Sequence, residues 1–285
     1  MERSEDLEDF LRRVSSRPLS DPERQRVTEL IRARKREAVK RGDEATSKQL
    51  WCYETILHIQ DTYLAAFAAL RSGSFYEAWT LLERVEIAGH SLERHCTTED
   101  DPHRVRFIAA HTKKLQSIFP YKWFMSPGVA SRRTECSICR ARVNPRKLCG
   151  HRKGEIYGGE ECIHQVSEMN IVEISFVTNP VHKYAVPFFL NPETGKVEDQ
   201  YNYALPKYLM ARLQSPFDPW DVGWTHRRHP HSRYADTSPT EPCPCESGKV
   251  YEECCLREEG VLRPHCDFIF SVPPPEPLLT AIEYT

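Results

Sequence analysis

The placement of eleven cysteines among 285 residues constrains this chain more than any other feature. Cys52 and Cys96 stand alone. Cys136, Cys139, Cys149 and Cys162 form one group, and Cys243, Cys245, Cys254 and Cys255 form a second, with Cys266 trailing. The second group packs four thiols into thirteen residues with the spacing C-x-C-x8-C-C. So short a stretch cannot bury a hydrophobic core. A tetrahedral ion held by four thiolates supplies the missing folding free energy. The chain starts Met1-Glu-Arg-Ser-Glu-Asp, acidic and without the apolar core of an export signal. Reduced, metal-ligating thiols are therefore expected rather than disulfides.

Lys and Arg number 39 against 41 Asp and Glu, a net of -2, which argues against a general nucleic-acid-coating protein but leaves room for a local basic patch. The longest apolar run, Leu64 to Leu70, is far short of the roughly 20 residues a membrane helix needs, so no membrane contact is expected. A cytoplasmic protein fits these features.

Residues 1–125 read as helix. Ser20-Asp-Pro-Glu23 has capping-box spacing and opens a helix that Gly42-Asp43 ends. From Asp43 to Arg71, Leu50, Tyr53, Ile56, Leu57, Leu64, Phe67 and Leu70 recur every three or four residues and predict one buried stripe. Ser72-Gly-Ser74 breaks that helix. A third follows with Ala78, Leu81, Leu82, Val85 and Ala88 inward, and Asp101-Pro102 opens a fourth that ends before Pro120. Ala69, Gly73, Tyr76, Ala78 and Leu82 faintly resemble a tetratricopeptide unit, but one unit does not make a stacked array, so a helical bundle is expected. Pro127-Gly128 marks a change of texture. Ile171–Val177 reads as a strand, and Tyr184–Leu190 as a second, interrupted by Pro187. The expected fold is α+β: a helical bundle over 1–125, a mixed β-containing zinc domain over 126–214, a Pro-rich linker over 215–241, a zinc knuckle over 242–260 and a Pro-rich tail over 261–285.

The knuckle reads Pro242-Cys243-Pro-Cys245-Glu-Ser-Gly248-Lys-Val-Tyr251-Glu-Glu-Cys254-Cys255. It resembles the SEC-C motif, known as the zinc-binding tail of the protein-translocation ATPase. The resemblance implies Cys243, Cys245, Cys254 and Cys255 as ligands, Ser247 and Gly248 as turn-formers and Tyr251 packed beside the metal. One departure is Glu246, where the family has Gly. Residues 241–259 carry two basic and six acidic side chains, a net of -4, which argues against a polyanion-contacting role for this segment. Zinc is the expected ion, and an all-thiolate site also suits iron.

The middle group has the spacing C-x2-C-x9-C-x-H, with Cys136, Cys139, Cys149 and His151 as candidate ligands and Cys162 or His164 as replacements for His151. Residues 131–155 carry Arg132, Arg133, Arg140, Arg142, Arg146, Lys147, Arg152 and Lys153 against two acidic residues, a net of +6. A rigid knuckle with such a rim can contact phosphate. Its charge can also simply offset thiolates.

His226, His229 and His231 read as part of the linker, and His265-Cys266 as spare donors. Phosphate-loop, nucleophile-elbow and H-E-x-x-H motifs are missing. Glu160 and Glu161 lie near the middle group, but a general acid or base needs a pocket. Because a closed four-thiolate site leaves no position for an activated water, the leading expectation is an interaction protein with two structural zinc ions and a protein partner. A nucleic-acid-binding component in regulation or phage defence, using the basic rim, is the second, and an enzyme with its site in the middle domain the third.

Overall fold

The computed structural model describes residues 7–14, 20–96, 100–144, 146, 148–271 and 273. Lys147 and all of the Pro-rich tail beyond Ser271 except Pro273 lie outside them. The described residues divide at Ala211/Arg212 into two compact units.

The first unit is built on helices. They are α1 (Leu7–Val14), α2 (Asp21–Lys40), α3 (Glu44–Ser72), α4 (Phe75–Glu93) and α5 (Val105–Ser117). Their ends follow local chemistry. Ser20 and Glu23 close the capping box of α2. The Thr46 backbone N–H donates to the Asp43 carboxylate at 3.0 Å, and α3 stops at Gly73 in the left-handed conformation. Asp101 accepts from the backbone of Arg106 and Phe107 at 3.0 and 3.2 Å, although α5 itself starts only at Val105. The stripe of α3 is buried as its spacing predicts, except that Tyr53 is half-exposed. Gln60 is buried among these apolar residues because its amide donates to the carbonyls of Leu11 and His103 at 3.3 and 2.9 Å.

Two long strands follow, β1 (Phe124–Cys136) and β4 (His164–Val177), paired antiparallel with irregularities near Gly128 and Arg133. Between them lie the middle cysteines and the two-residue strands β2 (Ile156–Tyr157) and β3 (Glu160–Glu161). The texture change at Pro127-Gly128 is thus no break: the strand runs through it. The predicted strand at Ile171–Val177 is the end of a longer one. Of Tyr184–Leu190 only β5 (Phe189–Leu190) is extended, paired with β6 (Val197–Glu198) across the Asn191–Gly195 turn. Pro187 accounts for the shortfall, since it has no N–H for a ladder. The loop before β5 is pinned to α4: the Trp79 indole donates to the Lys183 carbonyl at 2.6 Å, and Lys183 Nζ meets Glu86 at 2.5 Å. Helix α6 (Ala204–Met210) closes the unit, preceded by Tyr203 stacked on Phe75 at 4.4 Å.

In the second unit the expected linker and tail differ from what the chain forms. Trp220–His229 is strand β7 and Val261–Phe270 is strand β8, paired in register from Trp220↔Phe270 to His229↔Val261. The second cysteine group lies in the loop joining these strands. The prolines that suggested a linker sit beside the ladder, at 216, 219, 230 and 239, rather than inside β7. Among the described residues the architecture is α+β, with six α-helices and four two-stranded antiparallel sheets. No described helix is long and apolar enough to cross a membrane.

Candidate metal centres

The C-terminal centre is made by two tight turns held back to back. Pro242 and Val250 form a β-bridge. The Cys243 N–H donates to the Lys249 carbonyl at 2.8 Å and the Tyr251 N–H to the Glu241 carbonyl at 2.8 Å. These bonds fold Cys243 and Cys245 over the turn carrying Cys254 and Cys255. All four sulfurs lie within 4.8 Å of one another, with Cys245–Cys254 at 3.5 Å and Cys254–Cys255 at 3.9 Å. Sulfurs placed 2.3 Å from a central ion at tetrahedron corners would be about 3.8 Å apart. The donor set and its spacing fit one tetrahedral ion. Tyr251 packs on Cys243, Cys255 and Val261, with Tyr234 alongside. Its hydroxyl is 2.6 Å from His231 Nδ1, while His231 Nε2 donates to the Glu258 carbonyl at 2.8 Å. The tautomer that satisfies both contacts has its proton on Nε2 and accepts from Tyr251 at Nδ1. His231 braces this centre, a role its position in the supposed linker concealed.

Electrostatics separate the four thiols. Burial pushes Cys255 up to about 12 and raises Cys243 as well. Burial also acts on Cys245, but hydrogen bonds from Ser247 and the neighbouring thiols outweigh it and hold that group at about 6. Hydrogen bonding thus favours the thiolate form of Cys245 over those of Cys243 and Cys255. Glu246 adopts φ +63, the left-handed region that favours glycine, and its carboxylate pairs with Arg263 at 2.7 Å.

Residues 240–257 match the family model of the SEC-C motif. The rest of the chain matches no family model. No curated protein and no solved structure matches the chain. The matched window covers both cysteine pairs of the centre. In this chain the SEC-C segment is the connection of a β-hairpin, and Glu246 occupies the conformation for which glycine is best suited.

The middle centre forms where β1 ends. Cys136 is the last residue of that strand, and the Arg140 N–H donates to its carbonyl at 2.9 Å, so the chain turns with Cys139 on its outside. The donor atoms of Cys136, Cys139, Cys149 and His151 lie within 4.8 Å of one another. His151 Nδ1 is 3.8 Å from Cys136 Sγ, with the ring edge-on to Tyr157 at 4.6 Å. This set also fits a tetrahedral ion. Of the two replacements considered for His151, His164 faces Cys136 in the β-ladder and Cys162 Sγ lies 3.7 Å from Cys136 Sγ. Cys162 is fully buried, held by its N–H to the Glu155 carbonyl at 2.8 Å, and burial lifts its thiol to about 11. Cys136 is drawn down to about 6, chiefly by the Cys139 N–H directed at its sulfur.

The helices grip the loop that carries this centre. Lys35, almost wholly buried on α2, bridges Glu54 at 2.6 Å and Glu160 at 2.8 Å. Arg94 pairs with Glu161 at 2.8 Å, and Ser91 bonds the same carboxylate. The Gly158 N–H donates to Glu44 at 3.0 Å, and His95 Nε2 donates to the Gly154 carbonyl at 2.7 Å. Glu160 and Glu161 do border an open cleft of about 450 Å³ with Trp51, His58 and Arg84. Both are committed to cations there, so they anchor the loop. The signal available in sequence was the Glu-Glu pair beside Gly158-Gly159, but their cationic partners are far away in the chain.

Outside this grip the basic rim faces solvent: Arg132, Arg133, Arg140, Arg142, Arg146, Arg152 and Lys153 are all exposed. Arg133 pairs with Glu135 and Arg140 with Gln165.

Proposed function

We propose that this protein is an intracellular zinc-binding interaction protein whose two Cys/His clusters hold structural ions. Cys243, Cys245, Cys254 and Cys255 would hold one, and Cys136, Cys139, Cys149 and His151 the other. The observation that carries the reading is the convergence of two complete four-donor sets, each within 4.8 Å. Four protein donors fill a tetrahedral ion's coordination sphere, so the ion would act as a cross-link and leave no site for water activation. The first set ties two turns that share a very small core. The second ties the ends of a loop already clamped to the bundle. Iron is the competing ion at the all-sulfur centre.

Elemental analysis of the purified chain tests this. Two zinc ions per chain are expected, with one lost in Cys243→Ser/Cys254→Ser and the other in Cys136→Ser/Cys139→Ser. Metal-free protein that is nonetheless fully folded would overturn the reading.

A second reading, polyanion contact through the basic rim, is supported by the exposure of its seven described members, of which Arg146, Arg152 and Lys153 have no partner for their side chains among the described residues. It requires association with RNA or DNA that weakens steeply between about 50 and 200 mM salt. Salt-insensitive association, or none, removes it.

A further inference from the structure

The β1–β4 ribbon has two unlike faces. Its register places Met125 beside Phe176, Pro127 beside Ile174, Val129 beside Ile171 and Ser131 beside Met169 on one side. Ser126 beside Ser175, Gly128 beside Glu173 and Ala130 beside Asn170 lie on the other, with Phe124 beside Val177 at the end where Phe124 packs on Trp79. Such alternation is the pattern of a sheet with one face packed and one solvated. Yet the apolar side lies open: Phe176 is 63% exposed, Ile171 62%, Ile174 60% and Met169 59%. Among the described residues nothing buries these four side chains, and a two-stranded ribbon has no second layer of its own.

The identity of the cover follows from chemistry and size. None of the eight side chains on this face is charged. A two-fold contact sets a surface against itself, so any charge near the axis would meet its like, and a face without charge escapes that penalty. At these exposures the six large apolar side chains of two such faces would bury at most roughly 1,300 Å², near the lower end of the range of about 1,200–2,000 Å² for a specific interface. The irregularities near Gly128 and Arg133 twist the ribbon, which favours stacking over a flat edge-to-edge extension.

We propose that a second copy of this chain covers the apolar face of the β1–β4 ribbon, the two ribbons stacking about a two-fold axis. The metal centres are not part of this contact, so the proposal stands apart from the metal reading. The test is sedimentation velocity on the full-length, metal-loaded chain from about 1 to 100 µM. A dimer is expected in the upper part of that range. Ile171→Lys/Ile174→Lys should weaken association at least 100-fold while metal content and helical circular dichroism stay unchanged, and Ser175→Lys on the polar face should leave the dimer intact. Should the double variant fail to fold, Met169→Lys at the far end of the stripe gives the same reading. A wild-type chain that stays monomeric at about 100 µM overturns the proposal. So does a dimer that persists in folded Ile171→Lys/Ile174→Lys, which would mean that a different surface associates.

Discussion

Lys35 Nζ and Glu160 Oε1 meet 2.8 Å apart, and through this ion pair helix α2 holds the turn on which the middle cysteine centre depends. The ammonium is nearly enclosed, and Glu54 at 2.6 Å completes its pairing. Burial opposes its charge, but the two carboxylates outweigh burial and raise the lysine above its ordinary value.

Lys35→Met should therefore cost about 2 kcal/mol in chemical denaturation, because it takes the cation from Glu160 and leaves Glu54 only its longer pairing with Arg32 at 3.6 Å. Gly159→Ala should act in the same direction. A Cβ there would lie 2.6 Å from Lys35 Cδ and 3.1 Å from the Ser47 carbonyl, on a backbone at φ +73. Unchanged stability in both variants would show that the clamp contributes nothing.

Glu246→Gly should strengthen the SEC-C segment. Relief of φ +63 is worth up to about 1 kcal/mol, and the ion pair lost with Arg263 is partly exposed and worth less. Slower metal loss to a chelator is the expected result, compared with wild type by a colorimetric zinc indicator. Faster loss would mean that the Arg263 pairing dominates.

Chelation should affect the two halves of the chain differently. The helical core of Ile56, Ile59, Tyr63, Leu82 and Ile108 contains no metal donor. Excess chelator should expose residues 240–257 to proteolysis while helical circular dichroism falls by less than about a tenth. Simultaneous loss of both would place the bundle under metal control.

At the middle centre, Cys162→Ala should retain metal and Cys139→Ala should lose it, read by elemental analysis. The donor set within 4.8 Å contains Cys139 and His151. The reverse outcome would make Cys162 the ligand.

The pairing of Glu86 with Lys183 gives a pH signature. Burial works to raise Glu86, but hydrogen bonds from Lys183 and Gln116 outweigh it and set the carboxyl below its ordinary 4.5. A depressed carboxyl stabilises the fold above its unfolded value, and that contribution disappears as pH falls through the folded value. Wild type should thus lose stability below about pH 4.5 more steeply than Glu86→Gln in urea titrations. Parallel curves would remove the assignment.

The helices were legible because their signals are local: Ser20 with Glu23, Asp43, Gly73 and the α3 stripe each act within a few residues. The SEC-C centre was legible for the same reason, since all four sulfurs lie within thirteen residues. The ribbons were not. Pairing of Phe124 with Val177, or of Trp220 with Phe270, is decided by register between distant segments, and prolines at 127 and 219 read locally as breaks. His231 and Glu160 carry no motif at all. Their roles depend on partners, Tyr251 and Lys35, that only the folded chain brings near.

Because the SEC-C segment joins β7 to β8, with His229 and Val261 side by side at its base, both of its ends leave from one point. A stop codon placed ahead of it would also strip β7 of its β8 partner in the ladder. Excision is a different matter: a two-residue turn grafted from His229 to Val261 should seal the hairpin. The segment is in this sense a removable cassette, and grafting it onto the tip of an unrelated hairpin would reveal what it does by itself.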